Sequence, residues 1–401
     1  MVMQFRRVSV GEFRFGPEEK KAINRILSQN CISEGEFVEE FSAEFARFCK
    51  TKYCVSLNSG TSALMLVWAG LKYHSKFKPS DSLQVITTPL TYVATTNSLV
   101  TTGFEPDFVD INLEDFSINA DLIAKLAETG KYYGILPVHL MGYPCDMKKI
   151  NSIAKKNGLL VVEDSAEAHG SEIEGKKTGS LGLAGCFSFF IAHNIQAGEF
   201  GCVTTSDEEL DRLLRSMKGN GRRCYCLRSE VDAGKCPHVN DGFHPRYIHD
   251  YIGYNFKPME YQAAVGVCQL KKAEWIKQKR LENVKYLNDE LKGLDTVFQL
   301  PRFSKQVSYL GYPLLVTNPD FSRNKITLEL EKLGVECRPI FNSVPTQQPA
   351  YSHLKKRFEG KLPNAEFVGN NGLYVGCHQY LKQADLEHIV KAIKKVLNQH
   401  K

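Results

Sequence analysis

The stretch Gly185–Thr205, GCFSFFIAHNIQAGEFGCVTT, reads as strand, loop, strand. Cys186-Phe187-Ser188-Phe189-Phe190-Ile191 is apolar, aromatic and bounded by glycine, which predicts a buried strand. Ser188 places a hydroxyl within it, and a buried hydroxyl needs a hydrogen-bond partner. His193 and the glycine-punctuated loop Ala197-Gly198-Glu199-Phe200-Gly201 follow. Cys202-Val203-Thr204-Thr205 predicts a second short strand. It runs into a polar helix start, Ser206-Asp207-Glu208-Glu209.

Upstream of this stretch, helix and strand signals alternate. Residues 17–28 and Glu36–Phe48 have helical spacing. Tyr53–Leu57 predicts a strand, and residues 63–71 a helix. Between them lies the small polar turn Asn58-Ser59-Gly60-Thr61-Ser62. Strand, polar turn and helix together present free backbone N–H groups to an anion, although a plain helix cap has the same signature. Gln84–Thr87, Glu105–Asp110, Tyr133–Val138 and Leu159–Asp164 predict further strands. Helices are expected from Tyr92 to Thr101, Asn119 to Leu126 and Met147 to Asn157. This alternation predicts an α/β fold, a mainly parallel sheet with helices on both faces. Ligands in such folds sit at the carboxyl ends of strands. Gly60, Tyr92, Asp164 and Ser188 all fall at or near such ends.

Downstream, Arg222–Phe243 is irregular and rich in Gly, Cys, Asp and Arg. A long helical stretch, Met259–Gln278, then leads toward a smaller α+β portion. That portion includes a strand at Tyr312–Val316, a helix near Lys325–Leu333, a segment Gly334–Pro339 and a final amphipathic helix, Ala384–Leu397. The expected division is a large domain over 1–258 and a linking helix with a small domain over 259–401.

A chain of 401 residues is long for one core, which fits two domains. The formal charge of +6 is spread along the chain, and its basic clusters read as solvated helix faces. No nucleic-acid recognition motif accompanies them. No apolar run approaches the ~20 residues that cross a bilayer. The N-terminal segment lacks an apolar signal core, so the expected location is the cytoplasm. There the 12 cysteines are expected as thiols or metal ligands rather than disulfides.

The chain resembles the DegT/DnrJ/StrS-type sugar aminotransferases, fold-type I pyridoxal phosphate enzymes, over nearly its whole length. Those proteins carry an FSF strand, a lysine that forms a Schiff base with the cofactor, and a GEGG loop. His193 stands where that lysine would be. An imidazole forms no stable imine with an aldehyde, but it moves protons near neutral pH. The segment Glu163-Asp164-Ser165-Ala166-Glu167-Ala168-His169-Gly170 matches the family's ring-pairing motif. The resemblance implies that Asp164 pairs with the protonated pyridine nitrogen and keeps the ring an electron sink. Glu167 stands where most relatives have a glutamine facing the ring hydroxyl. Gly60, Thr61 and Ser188 match phosphate-binding positions, and Tyr92 the aromatic that stacks on the ring. Asn255 matches an asparagine that reaches the phosphate of the neighbouring subunit, which implies a homodimer with shared sites.

Loss of the lysine is similar to one branch of the family, the 3-dehydrases of nucleotide-linked 4-keto-6-deoxy sugars. The resemblance implies pyridoxamine 5′-phosphate held without a covalent bond, with His193 as the base that removes a proton from the cofactor C4′ carbon. One type of dehydrase works alone and has its amine restored by glutamate. The other carries a [2Fe-2S] cluster served by a flavin reductase. Cys224, Cys226 and Cys236 resemble the cluster segment of the second type, and thiolates at such spacing suit iron–sulfur or zinc ligation. Ala166 occupies the place of that type's remaining ligand, which leaves Cys202 as the expected fourth ligand, with Cys186 or His238 behind it. The other readings are an aminotransferase using a different base and a non-catalytic cofactor-binding subunit.

Overall fold

The protein was described from a computed structural model covering residues 7–77, 79, 82–224 and 247–399. The strands of the main sheet, in chain order, are β1 (Tyr53–Leu57), β2 (Gln84–Thr87), β3 (Glu105–Phe108), β4 (Gly134–Leu136) and β5 (Leu160–Asp164). A short hairpin, β6 (Glu172–Ile173) and β7 (Lys176–Lys177), follows. The sheet is completed by β8 (Ala184–Ser188) and β9 (Gly201–Thr205). Its order is β1-β9-β8-β5-β4-β2-β3. The run from β8 to β3 is parallel, and β9 is antiparallel to both β8 and β1. This is the expected mainly parallel α/β sheet.

The reason for β9's reversal is local. β8 and β9 are joined by the His193 loop without an intervening helix, so the chain returns antiparallel. The expected strand to Ile191 stops at Ser188. Beyond it, Phe189 N–H bonds the Phe200 carbonyl and Ala197 N–H the Phe189 carbonyl, which folds 189–200 into a compact loop.

Helices α1 (Pro17–Gln29), α2 (Glu36–Cys49), α3 (Gly60–Leu71), α4 (Ala94–Thr101), α5 (Ala120–Ala127), α6 (Met147–Asn157) and α7 (Glu208–Met217) cover the sheet. One layer of the core contains Phe41, Phe45, Phe187, Phe189 and Phe200. The other, around α3 and α7, contains Trp68, Val162, Cys186, Leu210 and Leu214. Neighbouring residues on β8 and β9 therefore serve opposite faces, as the two-residue period of a strand requires.

The expected single helix over Met259–Gln278 is two helices, α8 (Glu260–Leu270) and α9 (Ala273–Leu291). Lys272 leaves helical geometry with φ −98° and ψ 0°, and the chain turns there. The apolar α8 is fixed against α1 and α2, with Glu260 accepting from the backbone N–H groups of Gly35, Phe37 and Val38. Continuing straight would give up α9's own packing on the second core, where Leu281, Val284, Leu287 and Leu291 are buried.

That core surrounds a second, antiparallel sheet. It comprises β10 (Phe298–Gln299), β11 (Tyr312–Val316), β12 (Cys337–Pro339) and β13 (Gly372–Val375), in the order β10-β11-β13-β12. The N-terminal segment joins it, since Val8 pairs with Val335 in parallel. No described helix is long and apolar enough to cross a membrane.

Candidate active site

Strand β5 ends in two adjacent carboxylates with opposite fates. Glu163 is fully buried and accepts hydrogen bonds from the N–H groups of Gly179, Leu181 and Gly182. His139 Nε2 lies 3.0 Å from it. Because Cys145 N–H donates to His139 Nδ1, Nε2 carries the ring proton and donates to Glu163. Glu163 is thus satisfied inside the fold.

Asp164 points to the other side. Its Oδ2 accepts from Thr95 Oγ1 at 2.8 Å and its Oδ1 from Ala166 N–H at 3.2 Å. Burial pushes its pKa up, and no cation among the described residues neutralises it by direct contact. A buried carboxylate held only by neutral donors calls for a cationic partner. Thr95 is available because α4 begins at Ala94, two residues later than the sequence predicts. The same late start leaves Tyr92 outside the helix, 61% exposed, with its ring centroid 5.8 Å from that of Phe341.

The second wall is the start of α3. Ser59 caps the helix, its side chain accepting from Ser62 N–H at 3.1 Å. The first-turn N–H groups of a helix have no partner within it, and its dipole favours an anion there. Gly60 and Thr61, with Ser188 opposite, line the same cleft. Gly201, just past the Glu199-Phe200 loop, approaches the Ser59 and Gly60 backbone so closely that any side chain would collide with it. The glycine there is required by close packing rather than by a left-handed backbone.

Asp164, Glu167, Tyr92, Gly60, Thr61, Ser188 and His193 all line one cleft of about 650 Å³. Seven candidates from separate stretches of sequence therefore meet at the carboxyl ends of β1, β5 and β8. Glu167 Oε2 accepts from Met141 N–H at 2.7 Å. Burial, which outweighs that bond, and nearby Asp164 push its pKa up to about 8. His193 is half-buried, and its Nδ1 is turned into the protein, which leaves Nε2 as the nitrogen available to the cleft. Burial, then the charge of Arg280, pushes its pKa down to about 4, so the ring is a neutral proton acceptor. No lysine among the described residues lines the cleft.

The structure adds residues that the sequence reading left unassigned. Thr95 fixes Asp164. Arg338, at β12, lines the cleft and pairs with Glu336 at 3.2 Å. Asn342, Gln348 and Tyr374 line it with Arg338, so the second sheet closes one side. Thr91 and Thr95, four apart with their hydroxyls 2.7 Å from each other, were the available sequence sign of a polar seam beside Asp164.

Asn255 does not line this chain's own cleft. It is exposed and bridges to Gly219. The metal candidates are not brought together. Cys226, Cys236 and His238 lie outside the described residues. Cys202 is fully buried in the aromatic core beside Cys54, and burial raises its pKa well above the thiol range. Alternation on β9 turns Cys202 toward Phe41 and Phe45. Cys186 is buried on the opposite face, against α3 and α7. Among the described residues no group of three or more His, Cys, Asp or Glu side chains is arranged to hold a metal ion.

Residues 14–394 match the model of the DegT/DnrJ/EryC1/StrS aminotransferase family. The chain is 31% identical over 395 residues to a GDP-perosamine synthase of Caulobacter vibrioides, covering 98% of each chain. It is 29% identical to a GDP-4-keto-6-deoxy-D-mannose 3-dehydratase of Yersinia pseudotuberculosis, covering 94% of this chain and 96% of that one. The fold is similar to a solved Escherichia coli GDP-4-keto-6-deoxy-D-mannose-3-dehydratase with bound hydrated PLP. The TM-score is 0.86 at 26% identity, over 97% of this chain and all of that one.

Proposed function

The chain belongs to the DegT/DnrJ/EryC1/StrS aminotransferase family, and on that premise we propose that it is a 3-dehydratase. Its substrate is a nucleotide-linked 4-keto-6-deoxyhexose, and its resident cofactor is pyridoxamine 5′-phosphate. The observation that carries this reading is the cleft wall itself: His193 lines the same cleft as Ser188 and Asp164, and no described lysine joins them.

The residues fit such a cofactor. The N–H groups of Gly60 and Thr61 with Ser188 Oγ would hold its phosphate. Asp164, buried without a cation, would take its protonated ring nitrogen, and Tyr92 would lie on the ring. The bound cofactor supplies an amine for the sugar ketone and a ring that takes up electrons.

The protein supplies the rest. Asp164, oriented by Thr95, keeps the neighbouring nitrogen protonated. His193 Nε2 accepts the proton whose removal sets the elimination going, and its neutral state makes it ready to do so. Arg338, on the far side of the cleft, offers a cation to the phosphates of the sugar nucleotide. The names of the relatives support a nucleotide-linked sugar and include both perosamine synthases and 3-dehydratases, so it is His193 in the lysine's place that favours C3 deoxygenation over amino transfer.

Two assembly readings accompany this. Asn255 is exposed beside Ile252, which is 83% exposed, a surface suited to a homodimer in which Asn255 completes the partner's site. A [2Fe-2S] centre fed by a flavin reductase rests on the sequence spacing of Cys224, Cys226 and Cys236. The described residues do not supply its ligand set, and no step above depends on it. The self-sufficient, glutamate-dependent type is the outcome if no iron is found.

The direct test is deoxygenation by the purified enzyme, with trapping by borohydride in the presence of pyridoxal phosphate. The expected result is deoxygenation with no lysine labelled. A labelled lysine in the cleft, with aminated sugar as product, would establish the aminotransferase reading instead.

A further inference from the structure

Behind His193, away from the cleft, lies a second imidazole with no assigned task. His169 is 2% exposed, and neither of its ring nitrogens has a hydrogen-bond partner. The Ser188 backbone carbonyl acts on the ring as an acceptor without meeting full hydrogen-bond geometry. Its ring centroid stands 6.2 Å from that of His193. The nitrogen that His193 turns inward, Nδ1, is likewise unpartnered.

Arg280 closes the group. It is fully buried on α9, with one terminal nitrogen donating to the carbonyls of Tyr309 and Leu310 at 3.0 and 2.7 Å. Its Nε and second terminal nitrogen have no oxygen or nitrogen partner, and the Cys377 thiol interacts with the guanidinium. Asn194, next to His193 in the chain, bonds the same Tyr309 carbonyl and Ser308, so α9 and the His193 loop share one anchor. The remaining wall near His169 is aromatic, with Phe45, Phe187 and Phe189 around the ring.

Unpartnered buried polar atoms are uncommon, and several in one place need a shared answer. The two imidazoles are too far apart for a direct bond, but their spacing suits one bridging water, and a buried water takes two to four polar partners. Deepening the reading of His193 as the base, on which this inference rests, we propose that His169 is its positioning residue. Through one water, His169 accepts the hydrogen bond from His193 Nδ1–H. The proton is thereby fixed on Nδ1, and Nε2 is left bare toward the cleft. Burial, and then the charges of His193 and Arg280, keep His169 neutral, and so able to accept. An imidazole base works only in the tautomer that presents a lone pair, and the hydrogen bond at its other nitrogen selects that tautomer.

The test uses the full-length enzyme with pyridoxamine phosphate bound and its histidines labelled with 15N. The His193 signals are assigned by their loss in His193→Asn. In the wild type, His193 should carry its proton on Nδ1 with Nε2 bare. His169→Phe should give a mixture of tautomers and lower kcat roughly tenfold or more with KM unchanged, as removal of an orienting partner does. His169→Gln, which keeps a polar acceptor, should recover most of both. A wild-type His193 protonated on Nε2 overturns the proposal without any variant. So does a folded His169→Phe whose His193 stays wholly in the Nδ1–H form. The tautomer is read without substrate, so it stands apart from the base reading. If His193→Asn retains full deoxygenation, the base reading fails whatever the tautomer shows.

Discussion

Gly60 and Ser188 come so close that a methyl group on Gly60 would meet Ser188 Cβ at 2.5 Å. That contact holds the Ser188 hydroxyl against the first turn of α3 and makes one anion cradle out of β8 and a helix start. Gly60→Ala forces the two apart, an overpacking change worth about 1–3 kcal/mol. The expected result is a lower melting temperature and a weaker affinity for pyridoxamine phosphate, read by equilibrium dialysis. Unchanged affinity in a folded Gly60→Ala protein would mean that the phosphate sits elsewhere.

Glu167 gives the cofactor-free protein a pH signature. Its pKa rises from 4.5 to about 8 on folding, because burial disfavours the charge and Asp164 adds to it. The folded state therefore holds the proton more tightly than the unfolded one. Its contribution to stability is complete below about pH 4.5 and is lost as the pH rises toward 8. Asp164 is shifted in the same direction. Melting temperatures of cofactor-free protein should fall across this window. Glu167→Gln should reduce the slope. An equally steep profile in the variant would show that Glu167 is not the titrating group.

The extent to which this site was legible in the sequence follows from how local each signal is. Asp164 and Ser188 stood out because each ends an apolar run, and a polar group there has to be accounted for. The main sheet was legible for the same reason, since its strands are buried on both faces. The break between α8 and α9 was not, because Lys271 and Lys272 are good helix formers. The turn is imposed by packing on two different cores. The face that Cys202 presents was not legible either, because four residues of strand do not reveal which side is the core. Arg338 reaches the cleft only through β12, which leaves no pattern along the chain, and Thr95 only through the late start of α4, its four-residue spacing from Thr91 being the one local sign.

His193 and Asp164 should fail in different ways. Asp164→Asn removes the charge that the buried ring nitrogen needs. Truncating one member of such a desolvated pair costs about 2–5 kcal/mol, so both cofactor affinity and turnover should fall. His193→Asn should keep the cofactor and lose deoxygenation. His193→Lys should hold pyridoxal phosphate covalently, as shown by borohydride reduction and mass spectrometry, and shift the product toward amino sugar. Full deoxygenation by His193→Asn would remove the histidine from the reaction.

Asn255 tests whether the site is shared. It is exposed and absent from its own chain's cleft, so Asn255→Ala should weaken the partner's site rather than its own. Asn255→Ala and His193→Asn should each be inactive alone. Mixed and allowed to exchange subunits, they should regain activity, because one site in a mixed dimer then has both residues intact. Sedimentation should show the dimer in every case. Absence of recovery despite proven exchange would place both residues in one chain's site.

Within the proposed dehydratase function, iron analysis decides between the cluster-dependent and the self-sufficient type. Cys224 is partly buried where the described chain enters residues 225–246, and Arg223 beside it is paired with Asp250 at 2.7 Å. Cys224 thus has a polar setting, whereas Cys202 is inside the aromatic core. Anaerobic reconstitution should give about two irons per chain, as a [2Fe-2S] centre requires. Cys224→Ser and Cys226→Ser should lose them, and Cys202→Ser should keep them. Visible absorbance should follow the iron, and deoxygenation should then depend on a reductase. A colourless protein that deoxygenates its substrate with glutamate alone would remove the cluster and leave the cleft chemistry of His193 and Asp164 intact, since neither residue depends on the thiols.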